Sequence, residues 1–127
     1  MACILVVDDE APIRELVSRA LGRDGHDVVG EGDPLAVERA DLSRYDLLFV
    51  DVMMPGMDGY EATRAIRLSK KADAADIPII ALTANAFAED AKAAHDAGMN
   101  AHLSKPLDFN KLKNILACIK KNGSFSL

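Results

Sequence analysis

Five polar residues stand at the ends of short apolar runs, and their types suit one kind of chemistry. Asp8 and Asp9 follow Ile4-Leu5-Val6-Val7, Asp51 follows Leu47-Leu48-Phe49-Val50, Thr83 follows Ile79-Ile80-Ala81-Leu82, and Lys105 follows the run 101–104. In an open parallel sheet the carboxyl ends of the strands face a common crevice, and ligands bind there. Three carboxylates, a hydroxyl and an ammonium would then share one edge. Mg²⁺ wants octahedral oxygen ligands while keeping several waters, and two or three carboxylates plus a phosphoryl oxygen meet that need. Crowded carboxylates repel one another, so the site is strained without a cation. A carboxylate can also act as a nucleophile and form an aspartyl-phosphate. Asp51 is the candidate, because its strand is the expected central one. The cation would neutralise charge between Asp51 and an incoming phosphoryl group. Lys105 would meet the phosphoryl oxygens as a point charge, and Thr83 would donate its hydroxyl to one of them. Any one of these aspartates alone is better read as a turn or capping residue; the set argues for a phosphate-accepting site.

The elements that must position these residues alternate five times along the chain. Strands are expected over 3–7, 27–30, 46–51, 78–82 and 101–104. Several are continuous apolar runs, as for strands covered on both faces, and 27–30 is the weakest of them. In the first helix Pro12 suits the N1 position, and Ile13, Leu16, Val17, Ala20 and Leu21 follow the spacing of one buried face. Asp33 and Pro34 open a short second helix through Ala40. The third helix is expected from Asp58 to about Lys70. The fourth, Ala-rich, runs from about Phe87 to Ala97, with Gly98 as its left-handed C′ residue. The fifth starts near Asp108, with Leu112, Ile115, Leu116 and Ile119 as its stripe. Five such units predict a three-layer α/β/α sandwich around a five-stranded parallel sheet with right-handed crossovers. Periodicity alone does not give the strand order; the flavodoxin-like order 2-1-3-4-5 is the commonest solution for this size.

The chain has 127 residues, half of them hydrophobic, and a formal net charge of -5. This suits one domain, and offers no electrostatic footprint for nucleic acid or an anionic membrane. Lys111, Lys113, Lys120 and Lys121 read as a solvated helix face. No apolar stretch approaches the roughly 20 residues of a membrane span, and no signal peptide is visible, so a cytoplasmic location is expected. Cys3 and Cys118 have no metal or redox spacing and read as small apolar residues.

The segments Leu5-Val6-Val7-Asp8-Asp9-Glu10, Asp46 through Gly59, Ala81-Leu82-Thr83-Ala84 and Leu103-Ser104-Lys105-Pro106 occur in an order and spacing that are highly specific. On these the chain resembles the response-regulator receiver domain of two-component signalling over nearly its whole length. Its first half is similar to free-standing regulators, and the stretch from Leu82 to Pro106 to receivers of hybrid kinases. The resemblance implies a phosphorylation-dependent switch. Asp51 would accept a phosphoryl group from a histidine kinase or phosphotransfer protein, with Thr83 and Lys105 completing the reacting set. Asp9 and Asp51 would ligate Mg²⁺ directly, Asp8 mostly through water, and the backbone carbonyl of Met53 would complete the protein ligands. The Lys105–Pro106 bond would be cis. Residues 1–121 would form the receiver and 122–127 a tail. Output would change the surface around the fourth helix, fifth strand and fifth helix, toward a protein target the sequence does not identify. No enzymatic activity is expected beyond self-phosphorylation and self-dephosphorylation, and no direct contact with nucleic acid or membrane.

Several positions depart from the family pattern. His102 stands where Tyr or Phe is usual, and reads as a half-exposed packing residue; a pH-sensitive output face is the sharper alternative. Met53 and Asn85 occupy the positions that tune dephosphorylation. Met53 offers an attacking water no strong hydrogen bond, so the phosphorylated form should not be among the shortest-lived. The acidic residue and the fifth-helix Arg of the winged-helix transcription-factor subfamily are missing. Three other functions fit less well. A haloacid-dehalogenase-type phosphatase needs a general acid at Met53. A flavin or nucleotide carrier needs a phosphate loop where Asp8-Asp9-Glu10-Ala11-Pro12 is acidic. A receiver serving only for docking would not need all five residues.

Overall fold

The computed structural model describes residues 3–33, 42–52, 59–68, 77–83, 88–105 and 107–121. The expected second helix at 34–40, the Met53 carbonyl, the start of the third helix at Asp58, Asn85, the Lys105–Pro106 bond and the tail lie outside the described residues. Five strands are described, β1 (Cys3–Val7), β2 (Asp27–Glu31), β3 (Leu47–Asp51), β4 (Ile79–Thr83) and β5 (Ala101–Ser104). They pair in parallel in the order β2-β1-β3-β4-β5. The expected order is thus the observed one. The described helices are α1 (Ala11–Gly22), α2 (Gly59–Leu68), α3 (Ala88–Ala97) and α4 (Phe109–Lys121), and a 3₁₀ turn spans Leu42–Arg44. They correspond to the first, third, fourth and fifth expected helices.

Strand alternation sorts the core into two layers. Leu5, Val7, Leu48, Val50, Ile79 and Ala81 pack with Ile66 of α2 and Ala94 of α3. Ile4, Val6, Leu47, Phe49, Ile80, Leu82 and Leu103 pack with Val17, Ala20 and Leu21 of α1 and Leu112 and Leu116 of α4. With both faces covered, β3 and β4 are buried along their whole length. β2 is an edge strand with the pattern of a half-covered one, and its Val29 is exposed. That explains its weak sequence signal.

The helix ends follow local chemistry. Pro12 falls in the first turn but one position later than expected, because Ala11 opens α1 after Glu10. α3 stops at Gly98, whose φ is 102°, with Gly98 N–H donating to His95 O at 3.0 Å and Met99 N–H to Ala94 O at 2.9 Å. This is the Schellman pattern, with the buried pair Ala94 and Met99 as its apolar contact. Gly25, with φ 87°, ends α1 the same way through His26 N–H to Leu21 O and Gly25 N–H to Gly22 O, both at 3.1 Å. Asp108 caps α4, accepting the Asn110 N–H at 2.8 Å.

Arg67 ties the end of α3 to the segment that enters β4, on the edge of the sheet opposite the strand C-termini. Its guanidinium donates to Gly98 O, Ile77 O and Asn100 Oδ1 at 2.6–3.0 Å. Asn100 Oδ1 also accepts the Ile79 N–H at 2.9 Å. At the start of β1, Cys3 is half-buried and its N–H donates to Asp46 Oδ2 at 2.8 Å.

Candidate functional site

The C-terminal ends of β1, β3, β4 and β5 bring Asp8, Asp51, Thr83 and Lys105 to one edge. The ladders continue far enough to fix each backbone. Asp8 N–H donates to Glu31 O at 3.0 Å, Val52 N–H to Leu82 O at 3.1 Å, and Lys105 N–H to Thr83 O at 2.7 Å. Asp8 continues the row of Ile4 and Val6, toward α1 and α4. Asp51 continues that of Leu47 and Phe49 on the same side. Thr83 continues the row of Ile79 and Ala81, toward α2 and α3. The hydroxyl thus belongs to the layer of α3, while the carboxylates belong to the layer of α1.

Asp8, Asp51 and Thr83 are buried and Asp9 is exposed. One carboxylate oxygen from each of Asp8, Asp9 and Asp51 lies within 4.8 Å of the others. Lys105 reaches past β4, bringing Nζ to 3.0 Å from Asp8 Oδ2, 3.5 Å from Asp51 Oδ2 and 3.9 Å from Glu10 Oε2. Burial by itself lowers the Lys105 pKa, but contact with Asp8 and the charges of Asp8, Asp51 and Glu10 outweigh it and hold the group above its ordinary value. The ammonium is therefore charged throughout the neutral range.

The donor set fits a hard divalent cation. All three groups are oxygen donors, their oxygens lie close enough to share one ion, and Asp9 is exposed to water. Asp8 contributes a further sign. Its Oδ1 accepts the Glu10 N–H at 2.9 Å, whereas its buried Oδ2 accepts no hydrogen bond and has the Lys105 ammonium beside it without hydrogen-bond alignment. A buried carboxylate oxygen without a hydrogen bond is costly, and a cation or its bound water would satisfy it.

The backbone after Asp51 is held closely. Gly59 N–H donates to Val52 O at 3.1 Å, and a Cβ at Gly59 would collide with the carbonyl oxygen of Asp51. Glycine there lets the start of α2 rest on the strand end that carries the candidate nucleophile. Thr63, buried one turn later, donates its hydroxyl to Gly59 O at 2.8 Å.

The structure brings Asp8, Asp9, Asp51 and Lys105 together, and sets Thr83 at the end of the strand between Asp51 and Lys105, in the row facing the other layer. It adds Glu10, at the rim, and Arg14, whose Nη1 donates to the backbone carbonyl of Asp8 at 2.7 Å. Glu10 was visible only as part of the acidic turn. Arg14 sits between apolar stripe positions and had no spacing signal. His102 is half-buried in β5, opposite Ala81 of β4. Among the described residues, no helix is long and apolar enough to cross a membrane.

The sequence matches the response regulator receiver domain family over residues 4–117. It is similar to hybrid signal transduction histidine kinase L of Dictyostelium discoideum, 37% identical over 126 residues, covering 95% of this chain and 7% of that protein. Sensor protein EvgS of Escherichia coli K12 is 40% identical over 115 residues, covering 90% of this chain and 9% of that protein. The chain therefore spans a small part of these curated relatives. Among solved structures, chemotaxis protein CheY4 of Vibrio cholerae superposes with a TM-score of 0.84 at 32% identity, covering 94% of this chain and 98% of that one. The receiver domain of a Pseudomonas aeruginosa sensor histidine kinase, with magnesium ion coordinated in its active site cleft, gives a TM-score of 0.80 at 37% identity, covering 92% and 95%.

Proposed function

From a chain that belongs to the response regulator receiver domain family of two-component signalling, we propose a switch that accepts a phosphoryl group at Asp51 from a histidine kinase or phosphotransfer protein. The observation that carries this reading is the convergence of Asp8, Asp9 and Asp51 within 4.8 Å, beside the ammonium of Lys105. An Asp51 carboxylate oxygen attacks the phosphorus of a phosphohistidine, the P–O bond forms as the P–N bond breaks, and the donor's imidazole leaves as a neutral ring, its proton supplied by solvent water. Asp8, Asp9 and Asp51, together with the Met53 carbonyl, would hold Mg²⁺. Bound there, the ion supplies neutralisation of the negative charge shared by the carboxylates and the phosphoryl oxygens.

The chain's own residues account for the rest. Lys105, already 3.5 Å from Asp51 Oδ2, exchanges part of its carboxylate contacts for a phosphoryl oxygen. The Thr83 hydroxyl donates to another oxygen. Because Thr83 lies in the layer of α3, its movement toward phosphate is coupled to the surface formed by α3, β5 and α4. His102 lies on that strand. Phosphate then stabilises a pre-existing active form, and output runs through a protein partner. No substrate other than the protein's own aspartate is turned over.

The test is intact mass after incubation with acetyl phosphate and Mg²⁺. Native protein should gain one phosphoryl group, and Asp51→Asn protein or native protein with EDTA should gain none. Unchanged mass of the native protein, both here and after incubation with phosphorylated histidine kinases, would leave a docking role instead.

A further inference from the structure

Arg14 lies in α1 beside the acidic crevice, yet its guanidinium makes no ion pair with Asp8; it holds the main chain. Nη1 donates to Asp8 O at 2.7 Å. The same residue is fixed by its N–H to Glu31 O at 3.0 Å and by Oδ1, which accepts the Glu10 N–H at 2.9 Å. Because the peptide unit is planar, fixing the Asp8 carbonyl also fixes the direction of the Asp9 N–H and the placement of the Asp9 Cα. Asp9 is exposed, so packing does little to hold its carboxylate.

The floor under Arg14 consists of two glycines. A Cβ at Gly30 would stand 3.2 Å from Arg14 Cδ and 3.3 Å from its Cβ, and a Cβ at Gly32 would stand 2.9 Å from Nη1, the donating nitrogen. Neither glycine has the positive φ that requires one, in contrast to Gly25 and Gly98. What Gly30 and Gly32 provide is room for this side chain.

We propose that Arg14, seated over Gly30 and Gly32, is a positioning residue that holds the Asp8–Asp9 turn in the geometry that binds the divalent cation. The inference rests on the acidic site being a cation site, as read above. Charge alone predicts the opposite effect. A guanidinium this close to the crevice repels a divalent cation, so its removal should tighten binding if charge were its only influence. Loss of the hydrogen bond frees the turn and should weaken binding.

Calorimetric titration of the full chain with Mg²⁺ separates the two. Arg14→Met keeps the apolar stem over Gly30 and removes the donor; its affinity should fall roughly 3- to 10-fold, the scale of one net hydrogen bond. Gly32→Ala leaves Arg14 in place but pushes Nη1 away, and should weaken binding in the same direction. The double variant should bind no worse than Arg14→Met, because both changes remove one interaction. In Mg²⁺-free protein, the Asp9 amide resonance should shift in both single variants while the β3 and β4 amides stay in place. Arg14→Met protein that binds as well as native protein, or better, overturns the inference and leaves the site reading intact. Native protein that takes up no Mg²⁺ overturns both.

Discussion

Lys105 shows how one residue can be both structural and reactive. It offsets part of the charge of Asp8 and Asp51, and at 18% side-chain exposure it remains open enough to change partners. Its raised pKa has a definite consequence for stability. A lysine held above its unfolded value contributes stability that is complete below the unfolded pKa, about 10.4, and is lost as pH rises through the folded pKa. Lys105→Met in chelator should therefore be less stable than native protein at pH 8, by about 1–3 kcal/mol for buried carboxylates left without their counter-charge. The difference should shrink as pH rises beyond the ordinary lysine range. Urea midpoints of the two proteins at pH 8 to 11 check this. A difference that stays constant with pH would remove Lys105 ionisation from the account. Asp8, Asp51, Thr83 and Lys105 were legible in the sequence because each ends an apolar run. Arg14 was not, since its partner is a backbone carbonyl and its seat is made by glycines on another strand.

At the scale of elements, the helix ends are what place the site strands. The turn from α3 into β5 combines a left-handed glycine with Arg67, which reaches Gly98 O from α2. A side chain at position 98 would be strained by φ alone, and its Cβ would stand 3.0 Å from Arg67 Cγ. Gly98→Ala should cost about 1–2 kcal/mol for the left-handed conformation, with a further loss where Arg67 yields. Urea denaturation of native and variant protein checks it; a cost below about 0.5 kcal/mol would mean the turn relaxes freely. This end was legible from the sequence, because an Ala-rich helix running into Gly98 has a local signature. The Gly25 end was not singled out, although it uses the same bonds. The Arg67 clamp joins α2 to residues 77, 98 and 100, and no local pattern reports a contact over 31 or 33 positions. The five strands were legible for a different reason. Burial on both faces writes a continuous apolar run in β1, β3 and β4, while the edge strands β2 and β5, less covered, write weaker ones, β2 the weakest.

At the scale of the whole molecule, parallel pairing converts a one-dimensional pattern into a concentrated charge. Strand order was an expectation from size, because periodicity says nothing about which strands are neighbours. The order β2-β1-β3-β4-β5 sets Asp51 next to the strand of Asp8 and leaves Lys105 two strands from Asp51. The same arrangement sets stability against function. Three carboxylates within 4.8 Å repel one another in a chain of net charge -5, and a single lysine offsets only part of this. Asp51→Asn should therefore be more stable than native protein in chelator, the reverse of most buried polar substitutions, because it relieves the crowding. A cation that binds only the folded form stabilises it by about 2.7 kcal/mol at a hundredfold excess over Kd. Native protein should gain stability steadily as Mg²⁺ is added, while Asp51→Asn gains much less, so the two curves should converge or cross. Urea midpoints against Mg²⁺, with NaCl matched for ionic strength to remove general screening, measure both effects. Parallel curves would show that the gain comes from the overall charge of the molecule. Curves that start apart in chelator and close with Mg²⁺ would locate the cost at the acidic edge, where the fold accepts repulsion among Asp8, Asp9 and Asp51 so that a cation and a phosphoryl group can relieve it.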